Sequence, residues 1–359
     1  MDLASLCRLA LKTGASDIHL KVGVPPMLRI HGDIHAVPDH GPLSNEELSK
    51  AMWDIMSPLQ RERFKSTNDC DLAHSVPGVA RFRCNVFRSQ QRIGAVLRAI
   101  PTQVKTIDEL ELPAILKKVV QEPRGLVLVT GATGSGKSTT LAAMIEEINR
   151  TLPHHILTIE DPIEFLFEDS RSVVNQREVG LDAPNFHQAL RSALRQDPDV
   201  ILIGELRDQE TVEIALHAAE TGHLVFATLH TIDAHETINR LVGFFEPHQQ
   251  QQIRLQLGSV LRAVVSQRLV PASAGGRVAA LEIMLNTGTI YECIVDASRT
   301  REARDHIRKG RAQYGMQTFD QALFDHITAG KVRQDHGLRF ANNPDEVALR
   351  LSGLTDDAD

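Results

Sequence analysis

The chain has 359 residues, 42% hydrophobic and 24% charged, enough apolar material for two ordinary globular cores and no sign of a low-complexity protein. The formal net charge is −7, with one Trp and two Tyr, so the basic footprint and stacking aromatics of a nucleic-acid binder are missing and no direct nucleic-acid partner is expected. Four scattered cysteines form no C-x-x-C pair, which argues against a disulfide framework or zinc ribbon and for a reducing cytoplasm; neither a signal peptide nor a run of the ~18 apolar residues that span a membrane is found.

Residues 1–100 read as a small α+β domain. Leu3, Leu6, Leu9 and Ala10 are spaced for an amphipathic helix, and Ser44 with Glu47 has the capping-box spacing that opens a second one. Arg81 to Phe87 alternates as a half-buried strand does, with Arg81, Arg83 and Asn85 on one face, and Ile93–Ile100 is its hairpin partner. Residues 101–113, with two prolines, read as a linker. From 114 to 350 short apolar runs alternate with helical stretches, the texture of βα units on a mainly parallel sheet. Residues 351–359 form an acidic tail, expected to fray.

The runs Leu126–Thr130, Ile156–Glu160, Val200–Ile203 and Leu224–Leu229 read as strands, and ligands in such sheets bind beyond the carboxyl ends. After the first comes Gly131-Ala132-Thr133-Gly134-Ser135-Gly136-Lys137-Ser138-Thr139, which fits G-x-x-x-x-G-K-[ST]. Glycines there let backbone N–H groups curl round the phosphates of ATP, Lys137 reaches the β and γ oxygens, and Ser138 ligates Mg²⁺; residues Thr133, Gly134, Ser135, Gly136, Lys137, Ser138 and Thr139 are therefore the expected nucleotide site. After the second run Glu160, Asp161 and Glu164 crowd a strand end, where a carboxylate can deprotonate an attacking water. After the third, Glu205 holds the Walker B place that supports Mg²⁺, whereas Asp199 lies at the wrong end of its strand. After the fourth, His230 is placed to donate to a γ-phosphate; His223, before the strand, reads equally as a structural residue. Arg81, Arg83 and Arg98 read either as a solvated basic face or as arginine fingers for a neighbouring subunit.

These motifs in this order resemble the secretion and pilus ATPases, within them the PilT/PilU group of type IV pilus retraction (twitching motility) motors. The resemblance also rests on Gly14–Leu20, the aspartate box Ile159–Glu164, Asn175–Gly180, Leu194–Asp199, the histidine box Glu220–Thr231 and Gly315–Asp320, and so covers nearly the whole chain. It implies a PAS-like N-terminal domain followed by a RecA-like P-loop ATPase domain, in a homohexamer. It implies Glu164 as catalytic base, Glu205 as Walker B acid, His230 and His223 as nucleotide sensors, and Arg81, Arg83 and Arg98 near ATP at a domain or subunit boundary. The implied work is ATP-driven pilin depolymerisation at the cytoplasmic face of the inner membrane, with the inner-membrane platform protein of the type IV pilus as partner and a paralogous pilus ATPase as a second one. Retraction motors carry an Ala-Ile-Arg segment after the strand equivalent to Leu281–Leu285; here Thr289–Ile294 stands instead, and Ile283–Thr287 and the segment around Phe340–Pro344 resemble the accessory motors of the PilU type.

Overall fold

The computed structural model describes residues 2–30, 32–100 and 103–353. Contacts divide it into two units: Met1–Gln103 with Glu164–Leu166, and Val104–Ile163 with Phe167–Asp359.

In the first unit the helix Leu3–Lys12 is capped by Asp2, whose carboxylate accepts from the Ala4 N–H, and it buries Leu3, Leu6, Cys7 and Ala10. The helix Asn45–Ile55 has its capping box: Ser44 Oγ accepts from Glu47 N, and Glu47 accepts from Ser44 N. Six strands form an antiparallel sheet: β1 (Asp17–Lys21), β2 (Met27–Ile30), β3 (Asp33–Ala36), β4 (Asp69–Val76), β5 (Ala80–Ser89) and β6 (Arg92–Ile100), in the order β3-β2-β1-β6-β5-β4. Along β5 the period-two pattern buries Ala80, Phe82, Cys84 and Val86 and leaves Arg81, Arg83 and Asn85 on the other face, as expected.

The second unit holds seven strands: β7 (Gly125–Thr130), β8 (His155–Glu160), β9 (Val173–Glu178), β10 (Val200–Ile203), β11 (Leu224–Leu229), β12 (Leu261–Pro271) and β13 (Arg277–Leu285). Their order is β13-β12-β7-β11-β10-β8-β9, parallel except for the β12–β13 pair. Strands β7, β10 and β11 are buried along their whole length, because helices cover both faces of such a sheet. Parallel pairing puts the carboxyl ends of β7, β8, β10, β11 and β12 on one edge.

In the stretch 101–113, read as a linker, the residues from Val104 on group with the second unit. Ile107 is fully buried and Leu112 nearly so, and both join the core that Leu116, Val127 and Ile145 form. The apolar side chains of Ile107 and Leu112 gain more from burial than from exposure, which ties the segment to that core. Pro101 and Thr102 lie outside the described residues, as do residues 354–359 of the tail; Leu351 closes the helix Pro344–Leu351.

Candidate nucleotide site

Strand β7 ends at Thr130 and the chain turns through a loop that only glycine can follow at two points. Gly131 has φ +143°, and a Cβ there would lie 2.5 Å from the Gln267 carbonyl oxygen; Gly136 has φ +89°, and a Cβ would lie 2.6 Å from Gln267 Nε2. The helix Lys137–Thr151 follows, with its amino end at the loop. Its first residue, Lys137, is buried, and its ammonium donates to Gly131 O (2.8 Å) and Ala132 O (3.1 Å). Burial lowers the Lys137 pKa and the Glu205 charge opposes that shift. Among the described residues no carboxylate forms an ion pair with it; the buried cation beside a helix amino end is held by two carbonyl dipoles, with the Glu205 charge acting from beyond ion-pair distance. That cradle fits an anionic phosphate chain. Thr133, Gly134 and Ser138 are exposed on the loop, Ser135 is buried and Thr139 half-buried.

Beside the loop opens a cleft of about 660 Å³, lined among others by Leu110, Leu112, Gly136, Thr140, Leu269 and Val278. Its walls are mixed, with Leu110, Leu112, Leu269 and Val278 beside Lys105, Glu109, Glu111, Arg277 and Lys331, and its size suits the nucleoside end of a nucleotide whose phosphates lie on the loop.

The other strand ends bring two expected residues together. Glu205, just past β10, lies 3.0 Å from His230 Nε2, just past β11, while its other oxygen accepts from Arg207 Nε at 2.8 Å. Gly204 and Thr228 hold these ends in register, Gly204 N donating to Ile159 O (2.8 Å) and Thr228 Oγ1 to Gly204 O. The three carboxylates after β8 separate. Glu160 is buried, accepting from Thr158 Oγ1 (2.7 Å) and Gln176 Nε2 (3.3 Å). Asp161, before a cis Pro162, faces Arg207 at 3.6 Å. Glu164 belongs to the first unit, where its Oε1 lies 3.8 Å from Arg83 Nη1.

His223 and Asp199 are not brought to this edge. His223 precedes β11 at the opposite end of the sheet, its Nδ1 2.9 Å from Ala218 O. Asp199 also lies there, accepting from His155 N at 2.8 Å. Arg81 and Arg83 share the less buried face of β5 in the first unit. Arg98 pairs with the buried Asp17 at 2.8 Å, with Arg29 more distant at 4.0 Å, so the carboxylate of the Gly14–Leu20 motif has a structural partner.

Sequence reading missed Gln267 and Glu282. Gln267, on β12, is buried; its Nε2 donates to Ser135 O (2.8 Å) and its Oε1 accepts from Thr140 Oγ1 (2.6 Å). Glu282, on β13, is buried and accepts from Ala234 N at 3.0 Å, the first turn of the helix Ala234–Val242 behind His230. The Glu282 pKa is raised to about 7, chiefly by burial and also by the Asp233 charge, against the lowering pull of the Ala234 N–H, Arg304 and Arg268. The available signal was a polar residue inside an apolar strand, at Ser266-Gln267 and again at Glu282.

A phosphate loop closing an interior strand of a mainly parallel sheet, with an acid and a histidine at the next strand ends, defines a P-loop nucleoside triphosphatase. Within that class the chain belongs to the type II/IV secretion system protein family, whose model matches residues 2–332. It is 47% identical to the type IV pilus retraction ATPase PilT of Pseudomonas aeruginosa, over 96% of this chain and 99% of that one. It is 40% identical to the type IV pilus ATPase PilU of the same organism, over 100% of this chain and 94% of that one. Among solved structures, the pilus retraction motor PilT with bound ADP superimposes with a TM-score of 0.89 at 42% identity, covering 96% of this chain and 98% of that one. The α/β class expected from the sequence, an α+β domain followed by a P-loop ATPase domain, stands.

Proposed function

We propose that this protein is an ATP-hydrolysing motor that assembles as a homohexameric ring and powers type IV pilus retraction by withdrawing pilin from the fibre. The observation that carries the reading is the meeting of a buried, carbonyl-held Lys137 with the Glu205–His230 pair on one sheet edge. It occurs in a chain alike along nearly all its length to a retraction ATPase.

In this reading the backbone of Thr133–Thr139 wraps the phosphates, and Lys137 leaves its two carbonyls for the β and γ oxygens. The Ser138 hydroxyl and the Glu205 carboxylate are hard oxygen donors suited to Mg²⁺, which when bound neutralises phosphate charge. Glu164 takes the proton of the attacking water as the bond from the γ-phosphorus to its bridging oxygen breaks, leaving ADP and phosphate. His230, 3.0 Å from Glu205, reports whether the γ-phosphate is present. Arg81 and Arg83 are the cations a neighbouring subunit's nucleotide could receive, whereas Arg98 is committed to Asp17. Among the described residues no helix is long and apolar enough to cross a membrane; in this reading the motor meets the inner membrane through the platform protein of the pilus.

The test is complementation of a strain that lacks retraction and has no paralogous motor. The wild-type protein restores twitching and Lys137→Ala does not; equal restoration by both rejects the reading. A second reading, an accessory motor, is favoured by Thr289–Ile294, which forms the helix Gly288–Val295 with Tyr291 partly exposed, and by the likeness to PilU. Restoration of twitching only when a second pilus ATPase is co-expressed selects it.

A further inference from the structure

Strand β12 reaches the phosphate loop from outside the motif and touches it at three levels. Ser266 Oγ and Thr130 Oγ1 share a buried hydrogen bond of 2.8 Å at the last residue of β7. One residue on, Gln267 spans the loop with both ends of its amide, giving a hydrogen to Ser135 O and taking one from Thr140 Oγ1. Two residues further, Leu269 lies 3.4 Å from where a Gly136 Cβ would be. A loop built of glycines has little of its own to hold its shape, and its N–H groups recognise phosphate only when all point the same way. Ser135 sits before Gly136 and Thr140 sits one turn into the helix, so Gln267 ties the loop to the helix it feeds. Thr130, Ser135, Thr140, Ser266 and Gln267 are all buried, so water does not compete for the bonds.

We infer that Gln267 is a positioning residue for nucleotide binding, fixing the phosphate loop in its anion-receiving shape before the nucleotide arrives. The inference rests on the nucleotide reading of the loop and adds to it a residue outside the motif. Loss of the amide leaves a buried carbonyl and a buried hydroxyl without partners, and the loop relaxes to satisfy them.

The test is ADP titration calorimetry on the full-length protein, beside urea unfolding of the nucleotide-free form. Gln267→Met, close in volume and unable to hydrogen-bond, is expected to weaken ADP binding about tenfold, with KM for ATP rising more than kcat falls. Thr140→Val removes the other end of the bridge and is expected to weaken binding several-fold, and the double variant to be no worse than Gln267→Met alone, because the two groups act as one link. Binding within twofold of wild type in Gln267→Met, whether or not stability falls, overturns the inference; if that variant does not fold, unchanged binding in Thr140→Val does so. Failure of the wild-type chain to bind ADP would instead overturn the nucleotide reading itself, and loss of binding in Lys137→Ala alone would leave that reading standing without the clamp.

Discussion

Three glycines of one loop face three different surroundings, which separates backbone strain from steric overlap. Gly134 has φ +78° and open space where a Cβ would go, so Gly134→Ala is expected to destabilise the nucleotide-free protein by about 1–2 kcal/mol, the strain of left-handed backbone alone. Gly131→Ala adds a clash with the backbone of β12, which cannot retreat without parting from β7, and is expected to cost clearly more. Urea unfolding of the two variants gives the ranking, and equal losses would contradict it. Glu282 makes a prediction of opposite sign. Its folded pKa of about 7 lies above the ordinary 4.5, so the folded state holds the proton more tightly than the unfolded chain. Its contribution is therefore most favourable below about pH 4.5 and is lost as pH rises to about 7. Glu282→Gln keeps an acceptor for Ala234 N and has no charge to bury. It is expected to flatten stability between pH 5 and 7 and to gain about 1–3 kcal/mol at pH 8. A variant less stable than wild type at pH 8 would show that Arg304 and Arg268 outweigh the burial. Arg98→Ala, which strips the buried Asp17 of its nearest cation, is expected to cost about 1–3 kcal/mol in the same assay.

Strands whose ends carry the chemistry were the ones most legible in sequence. Leu126–Thr130, Ile156–Glu160, Val200–Ile203 and Leu224–Leu229 are apolar runs stopped by glycine or polar residues, and each is a strand within one residue of its expected start. β9 was not legible because Asn175, Gln176 and Arg177 interrupt its apolar pattern; it is an edge strand, where polar side chains are accepted. β12 was hidden for another reason. The helix Gln250–Val260 passes into it at Leu261 with no glycine or proline between, so periodicity alone does not divide them. Since β12 carries Gln267, the part of the site that holds the loop stayed invisible while the loop itself was plain. The same limit applies to Asp17 and Arg98, which are neighbours only through the β1–β6 pairing of residues far apart in the chain.

At the scale of the whole molecule the motor reading requires subunits to act together. Light scattering with nucleotide present is expected to give six copies of the chain, and hydrolysis per subunit to fall when dilution breaks the ring. A monomer that hydrolyses at an undiminished rate would remove the ring from the account. The central claim is tested most directly by steady-state ATP hydrolysis of the purified protein beside Lys137→Ala and Glu164→Gln, with oligomer size recorded in the same samples. Hydrolysis by the wild-type ring, lost in Lys137→Ala together with nucleotide binding and lost in Glu164→Gln with binding retained, is the expected result. Undiminished turnover in either variant would contradict the site described above.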